Sequence, residues 1–483
     1  MSIARRLIVT SILLSLVHAF PAAADFDPAL AAKADGYQDF LDDWHRPGLG
    51  ALLAIRFTDE TRSEMACGHY QGDSTIWTGM YLGSQALRYL VTGDPAARAE
   101  VIDTADYLHR IMEITETPGY IARFAGPNTD EFKCDCGDDN DWKVFGTGAY
   151  EGYYWIDHTS RDQYSGWWWG LAWAYDAVDD AQMRQVIRED VTAVMQMLED
   201  NRWHITDQNG EWTGNGAHFV GPLARLSWIL IAAHITDDPH YWDLLYEQFA
   251  MSDLVLWFDT LSFLNRYSEY FGNNLRHLAF QSLFRLWPDQ EGLERLWSIW
   301  QTANRPWVEG TLNPWFDSVH VTGCSRLGAC DPCEMASIRD DYELILGQYW
   351  DPPSYKREVT CSEMPLDPFS VRMDAFLDEN PWLRDIINIH PQTAEARELT
   401  DRHWTDIYWQ SGGVFEASCH TAEDQGFTGP GMDYLLAYYI GRHYEILDEE
   451  PPSGQRSFAG GAQVLRQGTA IEGRLHQRTR SPR

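Results

Sequence analysis

Apolar residues recur at helical spacing over most of the chain, in pairs of segments separated by short breaks. In the first pair, Trp77, Met80, Leu87, Leu90 and Val91 mark one helix, and Val101, Ala105, Leu108 and Met112 mark the next. Between them stands Thr92-Gly93-Asp94-Pro95. Gly93 suits the left-handed residue that ends a helix, Asp94 an N-cap, and Pro95 the first helical turn. The same grammar returns over Leu226 to Phe258, broken at Thr236-Asp237-Asp238-Pro239. It returns over Trp167 to Leu198, broken at Asp179-Asp180, and over Gly272 to Trp300, broken at Pro288-Asp289. An opening helix at about residues 26–44 and a closing one from Asp433 to Leu447 bracket these hairpins. Strand signals are weak, and long loops rich in Gly, Trp and Asp separate the units.

The expected fold is therefore all-α, with elaborate connections. Small residues crowd the first helix of several hairpins: Gly79, Gly83 and Ala86; Gly170, Ala172 and Ala174; Ala217, Gly221 and Ala224. Small side chains let helices approach closely, as the inner helices of a closed ring must; an open helical array with close packing is the alternative.

The ends differ from the body. Arg5 and Arg6, the short apolar stretch Leu7 to Val17 and Ala22-Ala23-Ala24 read as a signal peptide over 1–24. That places the mature protein in a periplasm or outside the cell. The helical domain is expected over 25–452, and 453–483, with six Arg and one acid, as a disordered basic tail. The chain carries 72 Asp+Glu against 37 Lys+Arg, a net charge of −35. A nucleic-acid partner is excluded, because gripping phosphates needs cations, and a membrane partner is not expected either. Eight cysteines in an exported chain favour disulfides that staple the loops. Cys134-x-Cys136 with Cys330-x-x-Cys333 as two halves of a zinc site is the alternative.

The segments Gly72-Asp73-Ser74-Thr75-Ile76-Trp77-Thr78-Gly79-Met80-Tyr81, Arg88-Tyr89, Thr92-Gly93-Asp94-Pro95, Pro118-Gly119-Tyr120-Ile121-Ala122-Arg123 and Ser160-Arg161-Asp162-Gln163-Tyr164-Ser165-Gly166 resemble exported bacterial (α/α)6-toroid proteins. That fold is shared by many glycoside hydrolases and polysaccharide lyases. The resemblance implies an (α/α)6 barrel of helical hairpins, with its site at the wide mouth where inner helices begin. It names no activity, because a fold does not fix a function.

Polar residues just before inner helices are then the first candidates for chemistry. They are Asp73, Asp162, Glu269 and His218. Glycoside hydrolysis needs two carboxyls facing one bond, and Asp73 with Asp162, or either with Glu269, supplies them. Trp77, Arg123, Arg161, Tyr164, Trp168 and Asn273 are the candidate substrate-binding residues. Capping explains Asp73 and Asp162 equally well, and a core position explains His218. The 22 Trp supply flat rings suited to sugar faces, or simply fill a wide helical core. No cofactor motif is present; a calcium ion at Asp135, Asp138, Asp139, Asn140 and Asp141 is the alternative to a solvated acidic loop. The reading is an exported glycoside hydrolase acting on a neutral or short oligosaccharide. The rivals are a toroid lyase, isomerase or dehydratase acting on a uronate or a small apolar substrate, with Tyr164 or His218 as base, and a non-catalytic glycan-binding protein.

Overall fold

The computed structural model describes residues 26–129, 132, 142–217, 222–251, 256, 271–356, 362–384, 387, 389–402, 414–415, 417 and 424–448. The expected signal peptide and basic tail lie outside the described residues, as do His218, Glu269 and the candidate calcium loop.

Among the described residues, twelve helices of ten residues or more build the body: α1 (Pro28–Phe40), α2 (Ser74–Thr92), α3 (Pro95–Glu113), α4 (Arg161–Ala177), α5 (Ala181–Asp200), α6 (Pro222–Thr236), α7 (Pro239–Met251), α8 (Phe271–Leu286), α9 (Gln290–Ile299), α10 (Pro314–Leu327), α11 (Pro332–Gln348) and α13 (Met432–His443). A further helix, α12 (Pro368–Glu379), belongs to the last connection. Helix α2 packs on α4, α4 on α6, α6 on α8, α8 on α10, α10 on α13, and α13 back on α2. The ring is closed, and the remaining six helices clothe it: α3 leans on α2 and α5, α5 on α6, α7 on α6, α9 on α8 and α10, α11 on α10 and α13, and α1 on α13. This is an (α/α)6 toroid, and it removes the open array.

Backbone contact welds two of the inner helices. A Cβ on Gly79 would stand 2.2 Å from the Gly166 carbonyl oxygen, and one on Gly170 would stand 2.2 Å from that of Gly79. Helices α2 and α4 therefore touch main chain to main chain, the approach that the small residues foretell. The ring's axis is filled. Helices α4 and α8 meet across it, and the Trp169 indole donates to Gln281 Oε1 at 2.8 Å. Trp169 also packs edge-on to Trp315.

The two rims differ. Inner helices pass to their outer partners through short turns with Asp at the cap. Gly93 has φ +65°, and Asp94 accepts from the Ala96 amide at 2.9 Å. Asp180, Asp238, Asp289 and Asp331 cap α5, α7, α9 and α11 in the same way. Each such cap contributes about 1 kcal/mol. The fifth hairpin, α10–α11, repeats this punctuation in Gly328…Asp331-Pro332.

At the other rim, outer helices return to inner ones through long connections, and these hold the short strands. Strands β1 (Ala54–Phe57) and β2 (Met65–His69) precede α2; β3 (Phe124–Pro127), β4 (Lys143–Phe145) and β5 (Tyr153–Ile156) precede α4; β6 (His204–Thr206) and β7 (Trp212–Gly216) precede α6; β8 (Ser354–Lys356) and β9 (Asp424–Gly429) precede α13. They form sheets of order β2-β1-β9-β8 and β3-β5-β4, and the hairpin β6-β7. The antiparallel pairing of β1 with β9, Ile55 opposite Thr428, joins the first connection to the last and closes this rim too.

Cys324 and Cys330 form a disulfide across the α10–α11 turn, so this bridge staples a tight turn rather than a long loop. It also takes Cys330 away from the alternative zinc site, while Cys333 is a free, exposed thiol. Cys67, on β2, is disulfide-bonded as well. No helix among the described residues is long and apolar enough to cross a membrane.

Candidate functional site

The long-loop rim brings together Asp73, Asp162, Arg123 and Arg161. Asp73 ends a short 3-10 turn (Gln71–Asp73) and stands immediately before α2, yet its side chain makes no capping bond. Its Oδ1 instead accepts from Gln163 Nε2 at 3.1 Å and lies 3.6 Å from the Arg123 guanidinium. Gln163, fully buried in the first turn of α4, accepts the Ile76 amide through Oε1 at 3.0 Å. One amide side chain thus ties the start of α4 to both the start of α2 and its acid.

Arg123 is fixed by the backbone around it. Its guanidinium donates to the Gly72 carbonyl and to the His158 carbonyl, each at 2.7 Å. Its own amide donates to Ile156 O at 2.9 Å, and its carbonyl accepts from Thr75 N at 3.0 Å. The cation is held against Asp73 by three chain segments. Asp162 lies in the first turn of α4, half-buried and uninvolved in a cap.

Burial raises both acids above the usual carboxylate range. For Asp73, the Arg123 charge and the Gln163 hydrogen bond oppose that rise. For Asp162, Arg161 opposes it, while the negative charge of Asp73 adds to it. Asp162 therefore senses the charge of Asp73, and Arg123, 3.6 Å from Asp73, opposes the rise at both acids. Trp77 sits one helical turn below Asp73, partly exposed and packed against the core.

Three of the expected substrate-binding residues lie inside the wall instead. Tyr164 is fully buried; its hydroxyl donates to Gly119 O at 2.7 Å and accepts from Ile121 N at 3.3 Å. Trp168 is fully buried and stacks on Trp228 with centroids 6.5 Å apart. Asn273 is buried in the first turn of α8. An inner helix of a filled ring is covered on every side, so proximity to its start does not put a side chain at the mouth. The residues that sequence reasoning passed over are Gln163 and Asp157. Asp157 accepts from the Tyr120 hydroxyl and, through Oδ2, from Gln208 Nε2 at 3.3 Å. Gln163 stands inside the Arg161-to-Gly166 segment, and its place beside Asp162 was its only signal.

No family model and no curated protein sequence matches this chain. Several solved structures are similar in outline. One is a family 76 glycoside hydrolase (mannosidase) from Bacteroides thetaiotaomicron, 10% identical, covering 86% of this chain and 100% of that one, with a TM-score of 0.42. Another is a cellulase of C. cellulolyticum, 11% identical over 86% of this chain and 99% of that one, TM-score 0.41. A third is an endoglucanase from Clostridium thermocellum complexed with cellotetraose, 13% identical over 90% of this chain and 74% of that one, TM-score 0.44. Overlaps this loose leave both the ring and its chemistry to be argued from the residues themselves.

Proposed function

We propose that this protein is an exported glycoside hydrolase acting on a neutral or short oligosaccharide, with Asp162 as general acid and Asp73 as the partner carboxylate. One observation carries the reading: two carboxyls, both raised by burial, at the starts of adjacent, mutually welded inner helices, one of them beside a fixed guanidinium and the other feeling its neighbour's negative charge. Asp162, protonated, donates to the leaving glycosidic oxygen. Asp73, whose negative charge is favoured by Arg123 3.6 Å away, acts on the opposite side of the sugar as base or nucleophile. The net charge of −35 favours a neutral substrate over a polyanion. Glu269 is the third carboxyl of the proposal. The lyase reading loses one of its two bases, since the Tyr164 hydroxyl is buried and bonded within the wall.

Asp73→Asn, Asp162→Asn and Glu269→Gln variants, assayed on a panel of neutral glycans, test this. Loss of a general acid or base is expected to lower kcat about 10²- to 10⁴-fold. An aryl glycoside whose leaving group needs no protonation should restore turnover to Asp162→Asn and not to Asp73→Asn. Unchanged turnover in both Asp variants would remove them from the mechanism.

A further inference from the structure

Three of the long connections each present an aromatic ring beside a histidine. In the first, Tyr70 is 46% exposed, with its ring 5.2 Å from that of His69 and 5.4 Å from that of Phe427. In the second, Trp142 is 44% exposed, 5.1 Å from the His158 ring, and lies under the Arg123 guanidinium at 5.8 Å. In the third, Trp212 is 55% exposed and 4.7 Å from the His204 ring. Elsewhere the indoles are mostly interior: Trp167, Trp168, Trp169, Trp173, Trp228 and Trp315 are all fully buried. Trp382, in the last connection, is exposed as well, at 66%. Open aromatic surface grouped around one mouth marks a place of contact.

The three pairs follow one another around the mouth. Tyr70 stands three residues before Asp73. Trp142 adjoins Arg123, which touches Asp73, and the Arg123 Nε donates to the carbonyl of His158. The β6–β7 hairpin leans on the same segment: Gln208 donates to Asp157, and Asn215 Nδ2 to the Thr159 carbonyl at 3.4 Å. The acids Asp73 and Asp162 begin the first two of these sectors.

From this arrangement we infer that the rim binds a glycan chain of several neutral sugars, with Tyr70, Trp142 and Trp212 as successive stacking positions and Asp73 and Asp162 at one point along it. The inference rests on the hydrolase reading and names its substrate class. A sugar ring offers an apolar C–H face to a flat side chain and hydroxyls at its edge to the neighbouring imidazole. One sugar covers one ring, so three ring pairs on three separate connections call for an extended chain. The acidic protein repels polyanions at long range, which selects uncharged sugars.

The test uses the full chain, with a ladder of neutral gluco- and manno-oligosaccharides and an aryl monoglycoside. Trp142→Ala, Trp212→Ala and Tyr70→Ala are each expected to raise KM for the longest oligosaccharide about 10-fold more than for the aryl glycoside. Trp212→Phe, which keeps a flat ring, should restore most of that difference. Quenching of indole fluorescence by the longest oligosaccharide should weaken in both Trp variants. A KM ratio between long and short substrates that is unchanged in all three variants would overturn the inference while leaving the hydrolase reading intact. If the wild-type protein turns over no glycan yet binds the long oligosaccharide through these rings, the hydrolase reading fails and the binding track stands. If it neither turns over nor binds any member of the ladder, both fall.

Discussion

Lowering the pH from 7 to 5 is expected to cost the ring several kcal/mol, because several of its histidines, three of them fully buried, are built to stay neutral. His45, His277 and His320 are all fully buried. His45 Nδ1 lies 2.6 Å from the Leu53 carbonyl and His277 Nδ1 lies 2.5 Å from the Asn273 carbonyl. A carbonyl only accepts, so in both rings Nδ1 carries the proton. In His320, Nδ1 accepts from the Trp300 indole at 3.4 Å and Nε2 faces Glu334 at 3.0 Å. One proton satisfies each ring, and burial opposes a second. It pushes His45 down to about 4, and His277 and His320 down to about 3. The unfolded chain titrates near 6.5, roughly the free imidazole value. Below that pH the unfolded state takes up protons that the native state refuses, so stability is complete above it and is lost as the pH falls. At pH 5, about 1.5 pH units lower, each ring withdraws about 2 kcal/mol, and the three together about 6. Buried Asp317 acts in the opposite sense. Its carboxyl is pushed up to about 6 by burial, against the pull of Arg305, so the native state binds that proton first. It returns about 1 kcal/mol by pH 5. Asp42, Asp73, Asp162 and Asp190, all raised by burial, share its sign. The three imidazoles less Asp317 leave about 5 kcal/mol, a loss that these other acids reduce and that His443, also pushed down to about 4, increases. That is a large part of the 5–15 kcal/mol typical of a folded domain. Urea unfolding at the two pH values measures it directly. His45→Asn and His277→Asn keep the donor and remove the titration, so each is expected to shrink the difference by about 2 kcal/mol. A wild-type midpoint equal or higher at pH 5 would refute the reasoning.

Gly79→Ala places a methyl 2.2 Å from the Gly166 oxygen, so it should destabilise the protein by about 3 kcal/mol or more and lower Tm in calorimetry. Gln163→Ala removes the link between Asp73 and the Ile76 amide; kcat on a responsive glycan is expected to fall about 10-fold, with the acidic limb of the pH profile displaced and the far-ultraviolet dichroism unchanged. Asp176 joins His234 at 2.7 Å and Arg285 at the back of α4, and although burial works the other way, these partners hold its carboxyl below the usual range. Its contribution is present at neutral pH and lost in acid, so Asp176→Asn should cost about 1–2 kcal/mol at pH 7 and less at pH 3, read by urea midpoints.

Much of the fold was legible because its punctuation is local. Gly93-Asp94-Pro95 supplies a stop, a cap and a first turn in three consecutive residues, and the structure uses each in that role. The α10–α11 hairpin carries the same signal at Gly328 and Asp331-Pro332, but the surrounding cysteines drew the reading toward disulfides and zinc. The strands were illegible for a physical reason. Trp212–Gly216 and Met65–His69 are five residues long and rich in Gly or polar groups, so they show no sustained alternation. At the site, Asp73, Asp162 and Arg161 could be placed at the long-loop rim because the start of an inner helix is a position along the chain, whereas Arg123 reaches that rim from the connection before β3. Tyr164 and Trp168 could not be assigned a side of α4, because that helix is apolar around most of its circumference and carries little amphipathic signal. Asn273 met the same ambiguity on α8.

The glycine seam between α2 and α4 also governs how this scaffold can change. Two rods in main-chain contact leave no side-chain volume to trim or enlarge, so the gap between Asp73 and Asp162 is pinned by the polypeptide itself. Diversification of what the mouth accepts is thereby channelled into the connections above it, which can be lengthened, shortened or exchanged without disturbing the helices beneath. Grafting foreign loops before α4 or α6 should therefore be a gentler route to altered selectivity than repacking the inner ring.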